Sequence, residues 1–237
     1  MYLRSLLNIA QYLFAVNAGS NTLSMLGISV SDPTKLSIVG KPISIPAEFP
    51  NTVAASAVHK LVCVGSTGAV AGISCSSFSA AGLSEMDTLR PFDIGQYTPP
   101  VGPTNTIFQV FFSEDESMLF TTVKGDPTLN RIGSLSVFPV TSACDGMARL
   151  STTETRSSLP GTAVLFGSAV IPGTSDLFVT DASFGAAVLS VNDQGEASLL
   201  SKQSINGQKA TCWVTISPAV GTSPTMQVAN ITAYLFA

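Results

Sequence analysis

Residues 161–202 have the sequence GTAVLFGSAVIPGTSDLFVTDASFGAAVLSVNDQGEASLLSK, which indicates the fold most clearly. It contains four short runs of β-forming residues, at 162–171, 176–180, 186–191 and 196–202. Turn sequences such as Pro172-Gly173 separate the runs, and the last run is more polar than the others. Four short strands joined by tight turns are typical of one blade of a β-propeller.

The same unit recurs along the chain and is easiest to recognise by its second strand. The aligned leucines, Leu13, Leu61, Leu119 and Leu177, are 48, 58 and 58 residues apart. Propeller blades usually repeat every ~40–50 residues, so two units carry longer loops. One four-stranded sheet cannot bury both faces, and stacking sheets around an axis solves this problem. A β-sandwich also has short strands and frequent turns, but the repeated strand order favours the propeller.

The remaining units give a coarse list of strands. We predict strands at 11–17, 22–29 and 35–45 in unit one; 52–58, 60–65, 72–78 and 82–89 in unit two; 107–113, 118–124, 133–138 and 148–157 in unit three. Pro139 is expected to end the third strand of unit three because proline cannot donate to a ladder. The innermost strand of unit one should precede residue 10, where the sequence supplies no clear strand. One further strand, 211–217, begins a fifth unit.

The predicted fold class is therefore all-β: an incomplete β-propeller of about four four-stranded antiparallel blades. Residues 1–10 are expected to be irregular, 11–222 to form the partial propeller, and 223–237 to be a divergent tail. Strand 211–217 either fills the missing inner position of unit one and closes a four-bladed ring, or belongs to a larger ring. The first 20 residues resemble a secretory signal, but Asn8 and Gln11 interrupt it, so no signal peptide is predicted.

Composition excludes several classes of function. Charged residues make up 11% of the 237 residues, against ~25% in ordinary soluble domains, and 31 serines and 23 threonines supply the polarity. A net charge of −4 without a Lys/Arg cluster argues against nucleic acids or anionic membranes as partners. No apolar run of 18 residues exists, so no membrane span is predicted.

The four cysteines are Cys63, Cys75, Cys144 and Cys212. Cys63 and Cys75 fall on neighbouring predicted strands, where a cross-strand disulfide would indicate an oxidising compartment. Two buried free thiols are the alternative. The cysteines lack zinc-ligand spacing and the chain has one histidine, so no metal site is predicted.

Two other features, His59 and an acidic run, contain residues that could take part in catalysis or metal binding. His59 falls in the turn between the first two strands of unit two, away from the end where ligand-binding loops gather, so an exposed turn residue is favoured over a catalytic one. Glu114-Asp115-Glu116 reads as a solvated hairpin turn; a calcium site is the alternative, although its acidic residues are adjacent rather than alternating. The sequence contains no phosphate loop, nucleophile elbow or Ser/His/Asp set. We predict no catalytic residue and no cofactor.

The candidate ligand-binding residues lie in loops that should ring the mouth of the central channel. They are Asn17, Asn51, Tyr97, Asn105, Lys124, Arg131, Asp181 and Gln208. Such side chains suit a small organic acid, a sugar or a glycan; alternatively, they satisfy backbone groups of their own loops. Trp213, in an apolar strand, is expected in the core. Residues 230–232 form a glycosylation sequon.

Several segments resemble fungal 3-carboxymuconate cyclase-like proteins, which belong to the seven-bladed lactonase family. They are residues 11–22, QYLFAVNAGSNT, together with 102–106, 112–115, 170–174 and 210–213, and the resemblance extends over roughly residues 11–222. It implies a seven-bladed parent of about 350 residues, of which this chain would be a truncated member. It also implies an extracellular or cell-surface location.

By the same resemblance, the family activity is lactonisation of a carboxy-muconate, or opening of a sugar lactone, without a cofactor. Such chemistry needs cations for the substrate carboxylates and a positioned acid or base. The resemblance implies that histidine, arginine and glutamate near the channel supply them, and these residues do not come together in this sequence. We therefore expect a secreted or surface binding protein. The alternative is a cofactor-free isomerase or lactonase.

Overall fold

The computed structural model describes residues 3–9, 11–142, 147–217 and 225–229. These residues form four antiparallel sheets of four or five strands, followed by a two-stranded sheet. Each sheet is a meander in which most strands pair with their sequence neighbours. Among the described residues, no helix is long and apolar enough to cross a bilayer.

The strands follow the predicted units. The first sheet contains β1 (Leu3–Ile9), β2 (Tyr12–Asn17), β3 (Thr22–Ile28), β4 (Leu36–Ile38) and β5 (Ile43–Ser44). The second contains β6 (Pro50–Ser56), β7 (Leu61–Ser66), β8 (Gly72–Ser79), β9 (Gly82–Leu83) and β10 (Arg90–Pro91). The third contains β11 (Thr106–Phe112), β12 (Met118–Lys124), β13 (Ser134–Ser142), β14 (Ala148–Leu150) and β15 (Thr155–Ser158). The fourth contains β16 (Leu165–Val170), β17 (Leu177–Asp181), β18 (Gly185–Val191) and β19 (Ala197–Ser204), and the last pairs β20 (Trp213–Ser217) with β21 (Thr225–Ala229).

The first strands of successive sheets lie side by side, which gives the sheets a radial order. β1 lies against β6, β6 against β11, β11 against β16, and β16 against β20. Polar bonds join these inner strands: the Val110 N–H donates to Thr52 Oγ1 over 3.1 Å, and Gln109 bonds both the N–H and the carbonyl of Ser168. The all-β prediction and the partial-propeller architecture are confirmed.

Among the described residues, three hydrophobic clusters fill the spaces between the four larger sheets. Members from each side of the three interfaces are Phe14 with Phe78, Ile73 with Leu119, and Leu135 with Leu177. Because strand side chains alternate between faces, each middle sheet contributes to two clusters. Burial between sheets, rather than within one of them, therefore holds the propeller together.

Four expectations about the strands are corrected or completed. Residues 3–9 are not irregular, because β1 pairs with β2 and supplies the innermost strand of the first sheet. Strand β13 continues through Pro139: the proline carbonyl accepts from Ser151 N–H, and Val140 N–H resumes the ladder to Ser117. Strand β20 does not complete the first sheet, because it pairs with β21. Residues 225–229 of the expected tail are thus a strand, while the sequon at 230–232 lies outside the described residues.

Cys63 and Cys75 are directly opposite each other on β7 and β8. The structure joins them in a disulfide, with 4.0 Å between their Cα atoms. Both residues are buried in the cluster between the second and third sheets. Cys144 lies outside the described residues, and Cys212 is a partly exposed free thiol whose pKa is raised by burial.

Candidate functional site

The two edges of the blades differ in chemistry. We call the edge where β7, β12 and β17 end the mouth face. The opposite edge carries the turns from β6 to β7, from β11 to β12 and from β16 to β17, and we call it the turn face. The sequence-predicted ligand residues belong to the mouth face, whereas His59 and the acidic run 114–116 belong to the turn face.

A groove of about 360 Å³ opens on the mouth face of the third blade. Its charged and polar lining residues are Asp93, Asn105, Lys124, Arg131, Ser134, Arg156 and Ser158. Apolar side chains that include Phe92, Ile94 and Val123 complete the lining. We call this site the cationic groove because three of its lining residues are positively charged and one is acidic.

Each cation is held by specific contacts. Lys124 is buried at the end of β12, and its Nζ lies 4.5 Å from the ring centroid of Phe166 and 5.0 Å from that of Phe108. Arg156 stacks 4.6 Å over the Phe92 ring and forms an ion pair with Glu154. Cation–π contacts of this kind help to hold both side chains in place.

Arg131 is positioned by a loop built on Asp126. Asp126 caps the short 3-10 helix Pro127–Leu129 and accepts from the N–H and hydroxyl of Thr128 at 2.9 and 2.6 Å. Its other oxygen accepts from Thr104 and Asn105. These bonds, the Thr128 hydroxyl foremost, lower the pKa of Asp126. An ionised Asp126 therefore shapes the loop that returns to Arg131, whose Nη1 reaches the Ile94 carbonyl at 3.4 Å.

Three of the eight predicted ligand residues, Asn105, Lys124 and Arg131, come together in the cationic groove. Asn17 is exposed in its own turn, where its Oδ1 accepts from Gly19 N–H, and Tyr97 is 70% exposed on the proline-rich loop. Neither lines the groove.

The other three predicted residues bind loop groups. Asn51 donates to the Ile107 carbonyl at 2.7 Å and accepts from a threonine hydroxyl. Asp181 is buried and accepts from the N–H groups of Ala163 and Val164. Gln208 donates to the Ala182 carbonyl. In these three residues the side chain satisfies backbone groups, which is the alternative that the sequence left open.

Two charged residues of the groove, Arg156 and Asp93, were not predicted from the sequence. Arg156 lies on β15 and reaches the groove because it pairs across the sheet with Ser136. That register depends on how the blade folds, and no local motif around Arg156 indicates it.

An aromatic cluster lies next to Lys124 at the start of three inner strands. The Phe108 ring centroid is 4.7 Å from that of Phe166 and 5.1 Å from that of Trp213. We call Phe108, Phe166 and Trp213 the aromatic mouth. Trp213 is 47% exposed, so the expectation that it belongs to the core is wrong: β20 turns this side chain toward the other two rings and the solvent.

The acidic run on the turn face connects three blades. Glu116 accepts from the Ser56 hydroxyl and the Val58 N–H of the second blade. Glu114 accepts from the Gly173 N–H of the fourth blade at 2.7 Å. The run is therefore more than a solvated turn. Among the described residues, no cluster of three or more His, Cys, Asp or Glu side chains is placed to hold a metal ion.

Asp115 and His59 serve the turns themselves. Asp115 accepts from the hydroxyls of Ser113 and Ser117 and from the Ser117 N–H. These bonds, the Ser113 hydroxyl foremost, lower its pKa. The His59 N–H donates to the Ser56 hydroxyl at 2.8 Å. His59 and the cationic groove thus lie at opposite edges of the blades.

No family model matches the chain, and no curated protein sequence matches it. Solved structures do match it. Two of them, described as putative 6-phosphogluconolactonases from Bacteroides fragilis and Bacteroides uniformis, have TM-scores of 0.66 at 11% and 13% identity. The alignments cover 89% of this chain and 56% and 57% of those chains. A protein from Lactobacillus plantarum gives a TM-score of 0.58 at 16% identity, and the alignment covers 89% of this chain and 57% of that protein.

At these identities the likeness shows the fold alone. The chain spans little more than half the length of these structures and shares its propeller fold with proteins described as lactonases. The narrower resemblance to fungal 3-carboxymuconate cyclases gains no support from the matches.

Proposed function

We propose that the cationic groove binds a small polyhydroxylated organic anion of the sugar-acid type. The observation that carries this proposal is the concentration of positive charge. The chain has eleven Lys and Arg residues and a net charge of −4, yet Lys124, Arg131 and Arg156 all line one groove. A local positive potential on an acidic protein attracts anions and repels the cations that the rest of the surface attracts.

The other lining groups suit the hydroxyls of such a ligand. Ser134, Ser158 and Asn105 supply hydrogen-bonding groups beside the cations. A guanidinium matches the geometry of a carboxylate, which it binds through two parallel N–H bonds. The groove volume of about 360 Å³ lies within the ~300–1,000 Å³ of small-molecule sites.

Calorimetric titration of D-gluconate, with neutral D-glucose as the control ligand, tests the proposal. We expect gluconate to bind and glucose not to bind, with an affinity that falls as salt is added. Arg131→Gln should weaken gluconate binding about tenfold, because it removes a charged hydrogen-bond donor. Lys35→Gln removes an exposed cation of the first blade and should leave the affinity unchanged. Equal binding of glucose and gluconate, or no binding of either, would refute the proposal.

Hydrolysis of a sugar lactone is the second candidate function. The likeness to structures described as putative 6-phosphogluconolactonases favours it. In this groove the cations would stabilise the developing oxyanion, and Asp93 is the carboxylate available to accept a proton from water. Hydrolysis of D-glucono-1,5-lactone in a pH-stat, compared with Asp93→Asn, measures it. The muconate reaction implied by the sequence resemblance is measured in parallel, from the diene absorbance of 3-carboxy-cis,cis-muconate.

We also propose that the protein works in an oxidising compartment, outside the cell or at its surface. The disulfide between Cys63 and Cys75 supports this location, because such bonds persist where thiols are not kept reduced. Fractionation of the native source, followed by mass spectrometry without reduction, tests it. Recovery from a reducing compartment with both thiols free would refute it.

A further inference from the structure

We infer that the aromatic mouth, Phe108, Phe166 and Trp213, is a stacking subsite for the carbon skeleton of the anion bound in the cationic groove. This inference rests on the proposed function and extends it from charge recognition to shape. The ligand class that it specifies is an anion with one apolar face, such as the ring form of a sugar acid or its lactone.

The backbone aims these rings by irregularities in the inner strands. In β11 the register shifts between Ile107 and Gln109, so Phe108 has no partner on β12. In β16 the register shifts between Leu165 and Ser168, and Phe166 lies in that interval. A β-bulge redirects a side chain out of the regular alternation. Two neighbouring blades therefore use the same device to present a phenylalanine at the same place.

The third ring arrives through a close approach of strands. A Cβ on Gly167 would lie 2.7 Å from the Cys212 carbonyl oxygen and 2.9 Å from the Trp213 Cα, so only glycine lets β20 lie so near β16. The Gly167 N–H donates to that carbonyl at 2.8 Å. This close approach of β20 to β16 places the Trp213 ring against Phe108, and 47% of the Trp213 residue stays exposed. An exposed tryptophan on two ordered rings is a surface available to a ligand.

Lys124 joins this surface to the groove. Its side chain lines the groove, and its Nζ stands over the Phe108 and Phe166 rings. A carboxylate near this amine brings the adjoining carbon atoms of the same ligand toward the rings. Positive charge beside an apolar face is complementary to a sugar acid, whose carboxylate is at one end and whose ring has a C–H face.

Trp213 is the single tryptophan of the chain, so its fluorescence reports on this surface without any variant. We expect D-gluconate and D-glucono-1,5-lactone to change the intensity or the wavelength maximum of the emission. The Kd for gluconate from this change should equal the Kd from calorimetry. Trp213→Leu, which keeps an apolar side chain but loses the aromatic face, should weaken binding about two- to tenfold. Trp213→Phe should bind within about twofold of the native chain. Tyr97→Leu, which removes an exposed aromatic outside the cluster, is the matched control and should have no effect.

The outcomes separate this inference from the proposed function. Gluconate binding in the calorimeter with unchanged Trp213 emission, or with equal affinity in Trp213→Leu, overturns the stacking subsite and leaves the groove in place. Absence of gluconate binding by the native chain overturns both. If Trp213→Leu fails to fold, the fluorescence of the native chain still tests the subsite. Circular dichroism of Trp213→Phe then shows whether that variant is folded, so that its affinity can be compared with that of the native chain.

Discussion

The turn face and the mouth face use their charged side chains differently. On the turn face, the carboxylates of Glu114 and Glu116 accept hydrogen bonds from the neighbouring blades. On the mouth face, Lys124 and Arg131 line a groove. One edge of the propeller thus uses charge to join blades, and we propose that the other uses charge to bind a ligand.

Two structural carboxylates of the mouth face depart from this division: Asp126, which holds the loop before Arg131, and Asp181. The oxygens of Asp181 accept from the N–H groups of Ala163, Val164 and Ser183, and the residue is buried. Asp181 holds one loop of the fourth blade by hydrogen bonds, as the acidic run 114–116 holds neighbouring blades together. The hydrogen-bond partners of a charged residue therefore indicate its role better than the edge on which it lies.

Loss of Asp181 is the largest effect that we predict. Asp181→Ala leaves buried N–H groups without acceptors, which should lower the free energy of unfolding by about 3 kcal/mol or more. Urea denaturation measures this change. Asp193→Ala, at an exposed aspartate of the same blade, is the control and should change the free energy by less than about 0.5 kcal/mol. Equal effects in both variants would show that the Asp181 bonds contribute little.

Loss of the Glu116 hydrogen bonds on the turn face should lower the free energy of unfolding by less. Glu116→Ala removes the acceptor for the hydroxyl of the buried Ser56 and for the N–H of the exposed Val58. We expect the free energy of unfolding to fall by about 1–2 kcal/mol. Glu85→Ala, at an exposed glutamate of the second blade, should be neutral in the same denaturation experiment. A neutral Glu116→Ala would mean that packing alone joins the second and third blades.

Acid should destabilise the protein at both faces because it protonates carboxylates that accept hydrogen bonds from hydroxyl groups. The pKa values of Asp115 on the turn face and Asp126 on the mouth face are lowered by hydroxyl donors. A carboxyl whose folded pKa is depressed adds stability above its unfolded pKa, and this stability is lost as pH falls through the folded value. Melting temperatures should therefore fall as pH drops below the ordinary aspartate value of 3.8. Asp126→Asn should show a shallower fall over the same range, and an identical fall would contradict the assignment.

The smallest effect is expected at Asn17, a mouth-face residue that the sequence analysis proposed as a ligand and the structure places outside the groove. Asn17→Ala should change the free energy of unfolding by less than about 0.5 kcal/mol and leave gluconate affinity unaltered. A loss of gluconate affinity in the calorimeter would extend the ligand site to the first blade.

The blades could be predicted from sequence because buried second strands recur with aligned leucines such as Leu61 and Leu119. Strand β1 was missed because Asn8 breaks the apolar pattern, and pairing with β2, a property of the fold, decides its structure. Lys124 and Arg131 were found because they end or follow a strand that faces the mouth. Arg156 and Trp213 depend on cross-strand register and strand approach, which no local pattern encodes.

The most direct test uses one variant from each face, Arg131→Gln and Glu116→Ala, in gluconate calorimetry and urea denaturation. We predict that Arg131→Gln loses gluconate affinity and keeps its stability, whereas Glu116→Ala loses stability, because it removes the acceptor for Ser56 and Val58, and keeps its affinity. If Glu116→Ala weakened gluconate binding as much as Arg131→Gln, or if neither variant changed it, the proposed difference between the two faces would be contradicted.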